Sequence, residues 1–364
     1  MTATANITKE MKNVKGSAIL GIDGMIDEVW ELIDSRSDAK NMTKIPNMKS
    51  FGDIIVERGT GGLAKERVLK RRSCGGFVCN TGRAVGTLGI DTTFLGFFGK
   101  EPYAELFDEF KEIATLVSLG NAANIHILEF LDGKIMMPNL EAIINLTWAD
   151  VINVLSEERV KELFDKDIVG LGYWSNMFDF ETILERITDL AVANKRTKRV
   201  FHDFANLNKR TPEALKVGLA ALKKENARLP QTLSLNEHEG GILAEVLGVD
   251  YPEDVNNPKS VGAVEEAVKK MQNILSIDEV VVHTLYYSVG ANVEGVVSAM
   301  QTYCENPAKT TGAGDTFNGG YMASCLGNLS LQERLIFANA STLYYVSTGS
   351  AGRIDEVLSK ITEQ

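Results

Sequence analysis

Residues 310–320 combine two glycines and a carboxylate at the expected start of a helix. They read Thr-Thr-Gly-Ala-Gly-Asp-Thr-Phe-Asn-Gly-Gly, and an apolar Tyr-Met-Ala follows. Glycine lets the backbone turn sharply, so N–H groups between Gly312 and Gly314 can converge on one point, where the helix dipole adds positive potential. Such a loop suits the negative charge on a transferring phosphoryl group. Asp315 could accept a proton from an attacking hydroxyl; alternatively, it only caps the helix.

Apolar runs alternate with helical patterns through most of the chain. Buried strands are predicted at residues 17–22, 93–98, 168–171, 200–201, 232–235 and 280–282. Helices are predicted near Pro102 and over residues 183–192, 213–224 and 263–275. Strands separated by helices indicate βαβ units and a mostly parallel sheet. We therefore predict a doubly wound α/β core, flanked by helices and made of residues 1–27, 71–123 and 138–364.

Two stretches look less like part of this core. Residues 28–70 are mixed and polar, with a glycine-rich break between Gly59 and Gly62. Residues 124–137 read as a strand, an Asp-Gly turn and a second strand, which is the strongest local hairpin signal in the sequence. We assign residues 28–70 and 124–137 to a small β lid inserted in the core.

The segment at residues 310–320 closely resembles the C-terminal signature of the PfkB carbohydrate kinases, also called the ribokinase-like family. Residues 75–80, Gly-Gly-Phe-Val-Cys-Asn, are similar to the N-terminal GGxxxN segment of that family, and residues 236–239, Asn-Glu-His-Glu, match its NxxE motif. Asp203 lies in a stretch similar to the Asp-Pro-Asn segment of the family, although the proline is absent. The resemblance covers nearly the whole chain and implies a ribokinase-like fold.

The resemblance also implies a reaction, in which the γ-phosphate of ATP is transferred to a hydroxyl of a sugar or sugar-like molecule. Asp315 would be the general base that takes the proton from this hydroxyl. Gly312, Ala313 and Gly314 would form the anion hole. Because phosphoryl transfer depends mostly on positioning and charge stabilisation, few other side chains need to act directly.

On the nucleotide side, the resemblance implies that Asn236 and Glu239 act near Mg²⁺ and the phosphates. Glu239 would contact the ion through water, because Mg²⁺ keeps much of its hydration. Thr284 and Asn339 are the further residues assigned to nucleotide binding, so ATP and Mg²⁺ are the expected cofactors. The alternatives are a solvated loop for Asn236 and Glu239, and an ordinary helix surface for Asn339.

On the substrate side, the family resemblance implies contacts from Gly75, Gly76 and Asn80. Glycine lets the backbone approach a ligand, and an asparagine amide both donates to and accepts from a hydroxyl. The alternative is a tight turn before a helix. Asp23 and Asp27 follow the first strand, where the family places one sugar-binding aspartate, and we favour Asp27.

Two positions depart from the family pattern. Lys309 stands where an aspartate commonly precedes the two threonines, so the monovalent cation that activates some members is in question. After Thr284 the chain continues Leu-Tyr-Tyr, where the family often has a glycine. The loop on the nucleotide side is therefore expected to have a different shape.

Composition excludes several other classes of function. The net charge of -11 and the pI near 5.1 disfavour nucleic acid as a partner, because phosphate binding needs a basic face. The basic residues 70–72 are expected to be solvated helix ends. The four cysteines show no zinc-type spacing and no disulfide framework. No GxGxxG follows the first strand, which argues against an NAD-binding oxidoreductase.

The N-terminal residues are polar and no segment reaches membrane-spanning length, so we expect a cytoplasmic protein without a membrane partner. The resemblance also implies possible pairing of the lid with a second copy. Two alternatives to a sugar kinase remain: a nucleoside kinase of the same fold, and a catalytically silent protein that binds a ligand. The motif with Asp315 argues against the silent protein, which would not require this carboxylate.

Overall fold

The computed structural model describes residues 2–361, whose strands form two β-sheets. The strands are β1 (Ser17–Asp23), β2 (Met25–Arg36), β3 (Met42–Lys44), β4 (Glu66–Gly75), β5 (Asp91–Phe97), β6 (Thr115–Gly120), β7 (Ala123–Phe130), β8 (Gly133–Asn139), β9 (Ile168–Gly172), β10 (Arg199–Asp203), β11 (Gln231–Asn236), β12 (Glu279–His283), β13 (Tyr287–Ala291) and β14 (Val296–Met300).

The larger sheet has nine strands in the order β14-β13-β12-β11-β10-β9-β1-β5-β6. All neighbours from β12 to β6 are parallel, and β13 and β14 add an antiparallel edge. The strand order reverses beside β1, and open α/β sheets bind their ligands outside the carboxyl ends of the strands at such a reversal. The predicted mixed α/β fold with a mostly parallel sheet is therefore confirmed, and its topology places the expected site near the ends of β1 and β9.

Helices cover both faces of this sheet. The α-helices of the described residues are α1 (Ala3–Lys12), α2 (Met48–Arg58), α3 (Phe77–Thr87), α4 (Glu141–Ile144), α5 (Trp148–Leu155), α6 (Glu157–Leu163), α7 (Phe180–Asn194), α8 (Pro212–Asn226), α9 (Glu237–Leu247), α10 (Val261–Leu275), α11 (Ala313–Ser324), α12 (Leu331–Thr348) and α13 (Ile354–Ile361). Of these, α2 packs on the smaller sheet. Along β1, Ala18 and Leu20 belong to the apolar cluster that contains α3, α11 and α12, whereas Ile19 belongs to the cluster with α7 to α10. Both faces of the sheet are thus buried, which explains the continuous apolar runs in the sequence.

The smaller sheet has five strands, β2, β3, β4, β7 and β8, and the predicted hairpin is present as β7 and β8. β2 lies between β4 and β7. This sheet also includes residues 25–27 in β2 and 71–75 in β4, which the sequence interpretation placed in the core. The division into core and lid, and the pairing of the lid with a second copy, remain proposals.

Three local predictions were wrong. The segment after Pro102 forms a short 3₁₀ helix, Glu105–Phe110, and not an α-helix. The basic residues 70–72 lie on β4 and not at a helix end, where Lys70 and Arg71 pair with Glu129 across the lid sheet. The edge strands β13 and β14 were not predicted. Within residues 2–361, no helix is both long enough and apolar enough to cross a membrane.

Candidate active site

Asp315 lies in the first turn of α11, which begins at Ala313 directly after Gly312. Gly312 has a φ of 92°, a left-handed conformation that favours glycine, and a Cβ there would lie 2.7 Å from the hydroxyl of Tyr345. The turn therefore requires glycine at this position. The N-terminal N–H groups of α11 and the Asp315 carboxyl group lie in the same turn, as expected from the sequence.

The carboxylate of Asp315 is held by three side chains from distant parts of the chain. Tyr173 Oη donates to Oδ1 over 3.0 Å, Asn80 Nδ2 donates to Oδ2 over 3.2 Å, and Thr81 Oγ1 donates to Oδ1 over 3.4 Å. Burial raises the pKa of Asp315 to about 6, although these hydrogen bonds lower it in part. The carboxylate is thus held in one orientation, and a pKa of about 6 would allow it to accept a proton near neutral pH.

Two further carboxyl groups share a cavity of about 160 Å³ with Asp315, which we call the acidic cavity. It is lined by Tyr173, Asp203, Ala205, Ser234, Asn236, Glu239, His283, Gly314, Asp315 and Asn318. Burial raises the pKa of Glu239 to about 7, and burial together with the charge of Glu239 raises that of Asp203 well above its usual value. No ion pair among residues 2–361 neutralises these three carboxyl groups.

Asn236 and Glu239 form the N-terminal cap of α9. Oδ1 of Asn236 accepts a hydrogen bond from the backbone N–H of Glu239 over 2.9 Å, and Oε2 of Glu239 accepts one from the backbone N–H of Asn236 over 3.0 Å. Such reciprocal bonds fix both side chains at the start of a helix. The motif therefore serves a local structural purpose and also directs Glu239 into the acidic cavity.

A larger cavity of about 460 Å³ lies beside the acidic cavity, and we call it the long cavity. It is lined by Asn236, Glu237, His238, His283, Thr284, Leu285, Gln301, Tyr303, Cys304, Pro307, Thr310, Ala313, Gly314, Phe317, Thr342 and Val346. Thr284 lines it, but its hydroxyl donates to the carbonyl of Tyr287 over 2.9 Å and so holds a turn.

Asn339 is not brought to the long cavity. Its Nδ2 donates to the carbonyl of Ala299 over 3.1 Å, so the buried side chain attaches α12 to β14. Thr342 and Val346, which follow it along α12, line the cavity instead. The sequence interpretation assigned Asn339 to nucleotide binding, but it could not predict which face of α12 this side chain occupies.

The two candidate sugar-binding aspartates have different environments. Asp23 is fully buried, and its two carboxylate oxygens accept hydrogen bonds from the N–H groups of Phe77 and Val78 over 2.7 and 2.9 Å. Burial raises the pKa of Asp23 to about 7 in spite of these bonds. Asp23 therefore holds the start of α3, whereas the carboxylate of the partly exposed Asp27 has no hydrogen-bond partner among residues 2–361.

Gly75 and Gly76 lie against these two carboxylates. A Cβ on Gly75 would lie 2.9 Å from Oδ2 of Asp27, and a Cβ on Gly76 would lie 2.6 Å from Oδ2 of Asp23. Gly76 also has a φ of 89°. The paired glycines are thus needed to bring the loop against Asp23 and Asp27, and the structure places Asn80 one helical turn later, beside Asp315.

Sequence reasoning missed Tyr173, Asn318 and the position of His283. Tyr173 directly follows β9, and His283 ends β12, so both lie at the carboxyl edge of the sheet. Asn318 donates to Asp203 over 2.9 Å. Ligands of open α/β sheets bind outside the carboxyl ends of the strands. Applying this rule to every predicted strand, and not only to those followed by a motif, would have indicated Tyr173 and His283.

Comparisons with known proteins identify the family of the chain. A family model described as prokaryotic ketohexokinase matches residues 2–363. The chain is 25% identical over 350 residues to a ketohexokinase of Haloferax volcanii. The alignment covers 94% of this chain and 90% of that relative.

Solved structures share the fold at lower identity. A ribokinase of Arabidopsis thaliana, complexed with ribose and ATP, superposes with a TM-score of 0.63 at 16% identity and covers 95% of this chain and 99% of its own. A carbohydrate kinase from Agrobacterium tumefaciens gives a TM-score of 0.63 at 16% identity, with 95% and 97% covered. From the family match along nearly its whole length, the chain belongs to the prokaryotic ketohexokinase family, and it is a carbohydrate kinase with a ribokinase-like fold.

Proposed function

We propose that this sugar kinase transfers the γ-phosphate of ATP to a hydroxyl of a ketohexose, with Asp315 as the general base. The observation that carries the proposal is the oriented carboxylate of Asp315, which has a pKa of about 6 and lies in the first turn of α11 beside Gly312, Ala313 and Gly314. The ketohexose is suggested by the relative from Haloferax volcanii, which is a ketohexokinase.

In the proposed reaction, the acceptor hydroxyl approaches Asp315 and gives its proton to the carboxylate as its oxygen attacks the γ-phosphorus. The new O–P bond forms while the bond between this phosphorus and the bridging oxygen breaks, and ADP leaves with that electron pair. N–H groups at the start of α11 stabilise the charge on the transferring group. Tyr173, Asn80 and Thr81 keep the carboxylate aimed at the acceptor.

Magnesium fits the residues of the acidic cavity. Mg²⁺ prefers oxygen ligands, and it is held by one or two carboxylates together with water and substrate phosphates. Glu239 and Asp203 are buried carboxyl groups with raised pKa values and no cation beside them, so a divalent ion would supply the missing charge. Residues 2–361 contain no group of three or more acidic, histidine or cysteine side chains able to hold a metal by themselves, so the phosphates would complete the site.

The two substrates would occupy opposite sides of Asp315. The long cavity, about 460 Å³ and mainly apolar, is large enough for a nucleotide and ends at Gly314. Asp27, Asn80, Gly75 and Gly76 lie on the side of the lid sheet. The free carboxylate of Asp27 is the group best placed to accept hydrogen bonds from sugar hydroxyls.

A coupled assay of ADP release tests this proposal. The unmodified protein is assayed with ATP and Mg²⁺ over a panel of ketohexoses, aldoses, sugar phosphates and nucleosides, beside the Asp315→Asn variant. We expect the highest kcat/KM for a ketohexose, and activity that depends on Asp315. A preference for nucleosides would overturn the assignment of the acceptor, and full activity of the variant would overturn the role of the base.

A further inference from the structure

The acidic cavity and the long cavity meet at three residues, Asn236, His283 and Gly314, which line both. If the nucleotide lies in the long cavity and the acceptor reaches Asp315 in the acidic cavity, the transferring phosphoryl group must pass between these three residues. Gly314 belongs to the predicted anion hole, and Asn236 caps α9 with its side-chain oxygen. The imidazole of His283 is the other side chain at the crossing point, beside the amide of Asn236.

The ring of His283 is held with one edge against the anion-hole loop. A Cβ built on Gly314 would lie 3.0 Å from Cε1 and 3.6 Å from Nε2 of His283, so this edge of the imidazole faces Gly314. The ring also packs on Phe317, with the two ring centroids 4.7 Å apart and the planes inclined by 34°. Its place at the end of β12 and this contact fix the orientation of the ring.

The ring nitrogens of His283 are not used by the protein. Neither accepts nor donates a hydrogen bond among residues 2–361. By contrast, Nε2 of the other histidine in the large sheet, His202, is 2.7 Å from Oε1 of Gln231. Burial lowers the pKa of His283 to about 4, so the imidazole is neutral and carries one N–H near neutral pH.

We propose that His283 is a further catalytic residue, whose Nε2–H donates a hydrogen bond to the transferring phosphoryl group beside the N–H groups of the Gly312–Gly314 loop. This inference rests on the proposed kinase function and adds a side-chain donor to it. A hydrogen-bond donor that is already oriented before the reaction does not have to reorient as charge develops in the transition state. No free energy of reorganisation is then added to the barrier, and such groups therefore accelerate reactions. A neutral donor also leaves the ionised Asp315 free to take the proton.

Two substitutions separate hydrogen bonding from packing. His283→Phe keeps the ring contact with Phe317 and removes the donor, whereas His283→Gln loses the ring and places an amide N–H where Nε2 was. His126→Gln is the matched control, since His126 lies on the lid sheet and contacts Trp30. Turnover and the KM for ATP are measured with D-fructose as the acceptor, and Asp315→Asn is included in the same series.

The donor role predicts that His283→Phe lowers kcat by about 10²-fold with little change in the KM for ATP, as for other anion-hole donors. His283→Gln should keep more of the activity than His283→Phe. The reverse order, or unchanged turnover of the Phe variant, would overturn the inference and leave His283 as a packing residue. Loss of activity in Asp315→Asn beside a fully active Phe variant would reject only the role of His283, whereas a fully active Asp315→Asn would reject the proposed function itself.

A binding experiment gives a readout that does not depend on the acceptor. ADP with aluminium fluoride mimics the charge and shape of the transferring group, and its affinity is compared by calorimetry with that of ADP alone. We expect His283→Phe to weaken binding of the fluoride complex by at least about tenfold while ADP alone binds as before. Equal affinities for the complex in the unmodified and Phe proteins would contradict the proposal.

Discussion

The two ends of β12 lie at opposite edges of the same sheet and have opposite electrostatic environments. At its amino end, the buried Glu279 lies between two arginines, with Oε1 2.7 Å from Nη1 of Arg334 and Oε2 2.9 Å from Nη1 of Arg199. Tyr321 also donates to Glu279, over 2.8 Å. At its carboxyl end, the carboxyl groups of Asp203, Glu239 and Asp315 line the acidic cavity, and no ion pair among residues 2–361 neutralises them.

The pKa values follow this difference. Burial alone would raise the pKa of Glu279, but Arg199 and Arg334 outweigh it, and the pKa lies below the usual range. Burial raises the pKa of Asp315 to about 6, although the charge of Arg83 lowers it in part, and burial raises the pKa of Glu239 to about 7. At the amino edge, removal of one partner would leave a buried charge unpaired, which destabilises a fold. At the carboxyl edge, carboxyl groups with raised pKa values are a candidate site for a cation and phosphates.

The largest expected effect is at the uncompensated edge. Asp315→Asn keeps the shape of the side chain and removes the base, so we expect kcat to fall by about 10²- to 10⁴-fold. Because a desolvated charge without an ion-pair partner is lost, the free energy of unfolding should stay the same or rise. Steady-state kinetics and thermal unfolding of the same preparation check both points, and a variant that is inactive because it is unfolded would contradict the comparison.

The compensated edge should respond in the opposite way. Glu279→Ala leaves Arg334 buried without a carboxylate and leaves Arg199 with Asp278 alone, so we expect the free energy of unfolding to fall by about 3–5 kcal/mol. Turnover of the folded fraction should not change, since Glu279 lies far along β12 from His283. Urea denaturation measures the loss, with Glu253→Ala at an exposed position as the control. A stable Glu279→Ala protein would show that the arginine pair is not structural.

Asp27 extends the comparison to the lid sheet, because no ion pair among residues 2–361 neutralises its carboxylate, although the charge of Lys134 lowers its pKa in part. If it binds sugar hydroxyls, Asp27→Ala should raise the KM for the sugar by roughly 10- to 100-fold, which corresponds to a lost hydrogen bond to a charged group. The KM for ATP should change far less. Asp34→Ala removes an exposed carboxylate that pairs with Lys65 on the same sheet and serves as the control. Equal changes in both KM values would indicate a misplaced pocket.

The pH dependence of turnover separates the two edges without mutation. Asp315 must be ionised to accept a proton, and its pKa is about 6. We therefore expect kcat to fall as pH drops through 6 and to be about tenfold lower at pH 5. Glu279 has a lowered pKa, so its contribution to stability is present above its unfolded pKa and is retained at pH 5. Unfolding at pH 5 would contradict this separation, as would constant turnover down to that pH.

The sequence predicted most of the strands that position the motif at residues 310–320. It predicted few of the side-chain contacts around Asp315. β1, β5 and β9 to β12 were evident because burial on both faces gives continuous apolar runs. β13 was missed because Ser288 and Gly290 interrupt its apolar run. It also belongs to an antiparallel edge, so no helix separates it from its neighbouring strands as in a βαβ unit. The hydrogen bond from Tyr173 to Asp315 joins residues 142 positions apart, so only the folded sheet brings them together.

The smallest expected effect concerns Lys309, which stands where the family resemblance implies an acidic residue. Nζ of Lys309 lies 5.4 Å from the centroid of the Tyr345 ring, and the hydroxyl of Tyr345 donates to the carbonyl of Thr311 over 2.6 Å. The lysine charge thus lies next to a residue that holds the loop before Gly312, and we predict that it makes a bound monovalent cation unnecessary. Turnover should be equal in sodium, potassium or a bulky organic cation at matched ionic strength.

Replacing the lysine tests how much this contact contributes. An exposed cation–π contact is worth about 0.5–1 kcal/mol, so Lys309→Met should lower kcat by only about two- to fivefold. Lys309→Asp should lower it further and make it respond to potassium, because an acidic side chain near the anion hole then attracts a cation where the ammonium repelled one. Potassium titrations of the three proteins measure the response. Strong activation of the unmodified enzyme by potassium would show that a cation site exists and that Lys309 lies outside it.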